Sequence, residues 1–300
     1  MIPTNTPLML ASEYFRIINN NSNTPTQQQL DNTRWGLLVS SNFLTRESGL
    51  RRFDEWYEIR PYNCFDERTG GALLNPFTLQ LDTDLRTLIT AKNGNQANID
   101  LNNIIQIPLG VDVGGIKTIH QIRIKQFSGV FWFSAQFDPY QAIQIEGRWG
   151  YGGQWLDVGT NLKAVVSPTD TTIQVTDPTK LENTMVVKII NSSVVPSQTE
   201  YMYIDSDTTN PIKVGRGFNG STPISFLGNE ELYFWQADIG IRRLVARLTQ
   251  FYFEQIKSPV VGQIIIGDMA FPVSMQGLPV DIYKEMRDLV YNKADGGNAV

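Results

Sequence analysis

Asp82 and Asp84 flank Thr83 at the end of one predicted strand, and Asp205 and Asp207 flank Ser206 at the end of another. Alternate strand residues face one way, so each pair offers two carboxylates to a calcium ion or to glycoside cleavage. Aspartates at strand ends also begin turns by bonding their own backbone, and that is the favoured reading. The single histidine, His120, alternates with Thr118, Ile122 and Ile124, which half-buries it in a sheet. A Ser-His-Asp triad would have to use it, and no G-x-S-x-G context supplies an activated serine. One histidine rules out a histidine-rich metal site, and one cysteine, Cys64, leaves neither an intrachain disulfide nor a thiolate metal site. Gly215-Arg216-Gly217-Phe218-Asn219-Gly220 spells G-x-G-x-x-G after a strand. The dinucleotide fingerprint also needs a helix opening at those glycines, to aim its N-terminus at the pyrophosphate. Ser221-Thr222-Pro223 follow instead, so the run reads as a glycine-rich β-turn. No catalytic residue, metal ligand or cofactor is assigned.

Aromatic residues gather in Phe127, Phe131, Trp132, Phe133, Phe137 and Tyr140, and again in Trp149, Tyr151 and Trp155. Such groups stack on sugars or anchor protein interfaces. Phe131-Trp132-Phe133 cannot place all three rings inward, so at least one is expected at the surface or under a partner. Sequons at Asn191 and Asn219 gain meaning only with secretion.

The elements that position these residues read as helices at both ends of a long β region. A brief helix is predicted around Ala11 to Ile18, before the loop-forming Asn19 to Asn23. Thr26 caps a helix carrying Leu30, Trp35, Leu37, Leu38 and Leu44, which ends near Gly49. Strands are predicted at Trp56–Arg60, Phe77–Leu81, Leu85–Ala91, Ile104–Pro108, Ile116–Gln126 and Ala142–Gly147. The Lys92-Asn93-Gly94-Asn95 turn marks a hairpin closed by the Leu85–Ala91 strand. A second β unit follows, with strands at Thr171–Val175, Met185–Ile190, Glu200–Asp205, Pro211–Val214 and Glu231–Trp235, spaced as in a small barrel or open sandwich. In Gln236 to Lys257 the apolar Ala237, Ile241, Leu244, Val245, Leu248, Phe251, Tyr252 and Ile256 form one helical stripe, opposite Arg242, Arg243 and Arg247. A strand at Val261–Ile266, a closing helix over Pro279–Asn292 and a flexible tail at 294–300 complete the chain.

The expected architecture is therefore α+β: a split α-helical core with two inserted antiparallel β units. Its segments are 1–53 (N-terminal helices), 54–159 (first β insertion), 160–235 (second, barrel-like insertion) and 236–300 (C-terminal helices and tail). Bulk composition bounds the function. Of 300 residues, 41% are apolar and only 18% charged, neutral polar side chains making up the difference. That surface suits a protein packed against copies of itself or other proteins. A formal net charge of −5 argues against an overall nucleic-acid footprint. No apolar stretch approaches bilayer length and no signal peptide is apparent, so folding in a cytoplasm without membrane attachment is expected.

The stretch IEGRWGYGGQWLDVG from Ile145, with TTIQVTDPTKL, EYMYID, VGRGFNGSTPI and ELYFW, resembles a module recurring in tailed-bacteriophage virion proteins. ADIGIRRLVARLTQFYFEQIKSP, SSNFLTRESGLRRF and LPVDIYKEMRDLV resemble helices of phage head-to-tail connector (adaptor) proteins. The resemblance implies a non-enzymatic structural virion protein in the neck. It would form a ring, typically twelve-fold, between the portal and the downstream tail, stopper or fibre protein. DNA would pass through without specific binding, since an acidic ring lacks the cation excess that phosphates demand. By position, Ile241, Arg242, Arg243, Arg247, Leu248 and Phe251 would build the inter-subunit interface, and Leu278, Pro279, Tyr283, Met286 and Val290 would meet the portal. The rivals are another tail, baseplate or fibre-attachment protein, and a carbohydrate-active enzyme using one of the aspartate pairs.

Overall fold

The computed structural model describes residues 7–18, 25–48, 52–63, 73–75, 77–108, 118–132, 142–194, 198–205, 209–257, 263–266, 269–272 and 278–289. They contain, in order, α1 (Ala11–Ile18), α2 (Gln27–Glu47), β1 (Trp56–Tyr62), β2 (Leu73–Asn75), β3 (Thr78–Lys92), β4 (Ile104–Pro108), β5 (Ile119–Ile124) and β6 (Ile143–Trp149). Next come β7 (Gln154–Asn161), β8 (Thr172–Ile173), β9 (Val186–Asn191), β10 (Gln198–Ile204), β11 (Ile212–Phe218) and β12 (Glu231–Gln236). The last elements are α3 (Ile239–Lys257), β13 (Gln263–Ile266), β14 (Met269–Pro272) and α4 (Val280–Asp288).

These elements overturn the expected split helical core with small β inserts. The chain is mostly β, built on two antiparallel sheets, with four helices as the lesser component. The physical reason is burial. Between Trp56 and Leu232 each sheet closes its own apolar core, so the strands are main bodies of the fold and not appendages.

The chain divides into two compact units. One holds Arg51–Gly153 together with Asn219–Ser221. Its sheet runs β1-β6-β3-β5-β4, with short β2 paired to β3. Ile143, Ile145 and Trp149 of β6, Leu79, Leu81 and Leu85 of β3, and Ile122 and Ile124 of β5 are essentially fully buried on it. The predicted strands Phe77–Leu81 and Leu85–Ala91 prove to be one, β3. Its register against β5 shifts between Gln80 and Leu85, a bulge that bends the strand where the aspartates lie. The Asn-Gly tip closes a short turn at the end of β3, with the bridge Lys92↔Asn98 and the bonds Asn93 N–H to Ala97 O and Ile99 N–H to Ala91 O, while the rest of β3 pairs with β5 and β6.

The other unit holds the residues up to Leu50, Gln154–Phe218 and Thr222–Val290. Its sheet runs β7-β12-β9-β10-β11-β8. Past β7 and β8 the two edges meet at the bridge Leu162↔Val175, flanked by Lys163 N–H to Gln174 and Thr176 N–H to Asn161. The two edges are thus joined over a short span, and Val187, Ile189, Met202, Ile204, Ile212 and Val214 form the core that the sheet wraps. β7 has no counterpart among the sequence-predicted strands. Asp157 and Gly159 interrupt its apolar alternation, and its side chains are half-exposed along most of its length.

The helices of this unit follow their sequence signals. Thr26 and Gln29 form a reciprocal capping box at the start of α2. The α3 stripe of Ile241, Leu244, Val245, Leu248 and Tyr252 is buried, and α1, α2 and α4 all pack on α3. Gly36 permits the closest approach: a Cβ there would sit 2.6 Å from Phe253 Cζ and 3.1 Å from Thr249 Cγ2. One turn on, Thr249 Oγ1 donates to Ser40 Oγ at 2.9 Å in a buried pair.

Candidate functional site

Asp82, Asp84 and His120 lie on the first sheet, each engaged by neighbouring side chains. Asp82 accepts from Arg60 Nη2 at 2.9 Å and from the Tyr62 hydroxyl at 2.8 Å. Arg60 also reaches Glu58 and lies 5.3 Å from the centre of the Trp149 ring. Asp84 engages a different partner: its Oδ1 is 3.2 Å from His120 Nε2. That same nitrogen is 3.2 Å from Thr118 Oγ1. A catalytic relay places its hydroxyl and carboxylate on opposite imidazole nitrogens, whereas here both converge on one. His120 is also more buried than its half-buried expectation, at 4% exposed, with Asp84 at 1%. The β3 bulge explains both corrections, since it turns Asp84 into the sheet opposite the start of β5. Among the described residues, no group of three or more His, Cys, Asp or Glu could hold a metal ion. Cys64 and Asp207 lie outside the described residues.

The glycine-rich run is the end of β11 and a turn, and no helix opens at it. Arg216 of the run forms a buried bidentate pair with Glu200 of β10, Nε to Oε1 at 2.6 Å and Nη2 to Oε2 at 2.8 Å. Glu200 also accepts from the backbone N–H of Gly217 and Ile224. Arg216 donates to the carbonyls of Ser167, Asp170 and Ile224. Arg216 is thus a knot that ties two loops, one at Ser167–Asp170 and one at Ile224, to β10. Asp205 pairs with Lys213 Nζ at 2.9 Å across the β10–β11 hairpin. Both sequon asparagines are engaged: Asn191 Nδ2 donates to Ser225 O, and Asn219 Nδ2 to Asp54 Oδ2 and Glu55 O.

The residues assigned to the subunit interface sit on α3. Ile241 and Leu248 are buried, and Phe251 is half-buried. Arg242 is also buried, donating to Ala237 O and pairing with Glu13 of α1. Arg247 spans to Asp281 and Glu285 of α4. Arg243 stays exposed. Charge reversal therefore has two outcomes: Arg242→Glu should cost about 3 kcal/mol or more, by burying like charges. Arg243→Glu should stay within about 0.5 kcal/mol of the wild type. Thermal melts of the two variants test the distinction. Of the assigned portal residues, Met286 is buried, Leu278 half-buried, and Pro279 and Tyr283 exposed beside Val280, while Val290 lies outside the described residues.

Two tyrosines give a pH-dependent signature. Burial, then the hydrogen bond to Glu146, pushes the Tyr57 hydroxyl up to about 12 from its ordinary 10.0. Burial, then nearby Asp205, pushes Tyr203 up to about 12. Folded-state values above the unfolded value mean that this stabilisation is complete below pH 10.0 and is lost as pH rises through about 12. Melting temperature should fall across that window, and Tyr57→Phe with Tyr203→Phe should flatten the fall.

Of Phe131-Trp132-Phe133, one ring is at the surface as expected. Trp132 is fully buried and donates from Nε1 to Phe77 O, while Phe131 is 48% exposed and Phe127 102% exposed. Phe133, Phe137 and Tyr140 lie outside the described residues. Leu101 at 41% and Ile105 at 43% add to the exposed apolar side chains around β4 and the turn after β5. A cleft of about 480 Å³ lies there, walled by Ile105, Arg123, Lys125 and Phe127. An exposed ring is legible in Phe131-Trp132-Phe133, whereas Phe127 and its basic neighbours Arg123 and Lys125 are not singled out by the pattern. Its sequence signal was an aromatic beside Lys125-Gln126 and Ser128-Gly129, a turn context with no room for burial. No family model, curated protein or solved structure matches the chain.

Proposed function

We propose that the protein is a structural virion subunit acting in a tailed-bacteriophage head-to-tail connector, assembling with copies of itself into a ring between portal and tail. The observation that carries this reading is the pair of exposed apolar side chains Ile105 and Phe127 that meet at the β4–β5 cleft, with Leu101 and Phe131 exposed in the flanking turns. Exposed apolar side chains gathered in this way mark surfaces that a partner covers. The low charged content and the resemblance of the Ile145 to Trp235 stretch and of the flanking helices point the same way. The aspartate pair at 82 and 84 supports the enzymatic rival less well, because each carboxylate serves a separate neighbour of the sheet.

Mass photometry with negative-stain microscopy of the purified chain tests the reading, with closed rings as the expected result. A compact trimer would favour a fibre-attachment role. A monomer that hydrolyses polysaccharide, and loses that activity on Asp82→Asn, would overturn it.

A further inference from the structure

Two surfaces of this chain are complementary in charge and alike in apolar character. The first is the β4–β5 cleft. Ile105 and Arg123 are cross-strand partners, Lys125 follows at the strand end, and Phe127 stands beside them with its ring in solvent. Among the described residues, two cations line this cleft and no carboxylate does. The second is the outer face of β7 and β12. Trp155 pairs in register with Trp235, and Asp157 with Tyr233, so the four share one side of the sheet. The Tyr233 hydroxyl donates to Glu231, which holds that carboxylate on the same side. The Lys188 ammonium of β9, 4.8 Å from the Trp155 ring centre and 5.6 Å from that of Tyr233, is covered by the rings. Asp157 and Glu231 are the exposed charges.

We propose that copies join head to tail, the basic apolar β4–β5 cleft of one copy taking the acidic aromatic β7–β12 face of the next. This rests on the assembly reading and names the surfaces it uses. Each face combines apolar side chains with exposed charges of one sign, a combination in which burial gives affinity and charge sets partner and register. Joining two different faces is heterologous, and repetition of a heterologous contact closes into a ring when the rotation allows.

The test uses the full chain and two charge-reversed variants, Arg123→Glu with Lys125→Glu and Asp157→Lys with Glu231→Lys. Each should keep the wild-type melt and weaken self-association more than about tenfold in mass photometry. Mixed in equal amounts they should assemble, because every contact in an alternating ring then joins opposite charges. Phe127→Asp should weaken association without rescue by either variant. Variants that assemble like the wild type, or a mixture that stays dissociated, overturn the contact while leaving the assembly reading standing. A wild type that remains monomeric at all concentrations overturns both.

Discussion

Glu200→Ala should lower the stability of the β7–β12 unit by about 3–5 kcal/mol, the cost of leaving one member of a buried ion pair without its partner. Glu200 is 0% exposed and its two oxygens accept four hydrogen bonds, two from Arg216 and one each from Gly217 and Ile224 N–H. Removing it strands a guanidinium whose side chain is 7% exposed. A bare buried pair can often be replaced by apolar residues at no loss. Here it should not be, because each partner also serves backbone groups. Glu200→Leu with Arg216→Met removes the bonds to the Gly217 and Ile224 N–H groups and to the Asp170 and Ile224 carbonyls, Ser167 O keeping Asp170 N–H, and each group left unsatisfied costs about 1–3 kcal/mol. Denaturant unfolding of both variants decides the point. A double variant as stable as the wild type would show that the backbone bonds contribute little.

The two features of the sequence that looked most like chemistry thus turn out to carry folding. G-x-G-x-x-G opens no helix, and that absence is a local property legible in the sequence, but Gly215–Phe218 extend β11 and only Asn219-Gly220 form the turn. Its arginine could not be read as a knot, because Ser167, Glu200 and Ile224 reach it only through sheet pairing. The same limit governs Asp84. That it alternates with Asp82 was legible, but the bulge between Gln80 and Leu85 that separates their partners is a property of the β3–β5 register. Helices were legible nearly to the residue where a local device marks them, as the Thr26 capping box does for α2. The balance between helix and sheet was not. An amphipathic stripe such as that of α3 announces itself in a short window, whereas the closure at Leu162↔Val175 joins two segments of modest pattern. The prominence of the helices therefore overstated their share of the fold.

Gly220→Ala should be strongly damaging, and the steric cause can be separated from backbone strain. Gly220 has φ +79°, a left-handed conformation that costs an L-residue about 1–2 kcal/mol. In addition, a Cβ there would lie 2.2 Å from the Tyr57 carbonyl oxygen, a backbone atom held by β1 pairing with β6. The adjoining bond, Tyr57 N–H to Asn219 O at 2.8 Å, would have to break to relieve that overlap. The steric term adds to the strain, so the total loss should exceed about 3 kcal/mol. Gly159 supplies the control, with φ +78° and nothing within 4 Å of where a Cβ would stand. Gly159→Ala should show the strain alone, about 1–2 kcal/mol. Thermal melts of the two alanine variants measure the difference directly. Equal losses would mean that the close approach of residue 220 to β1 contributes nothing, and that conformational freedom alone accounts for the glycine.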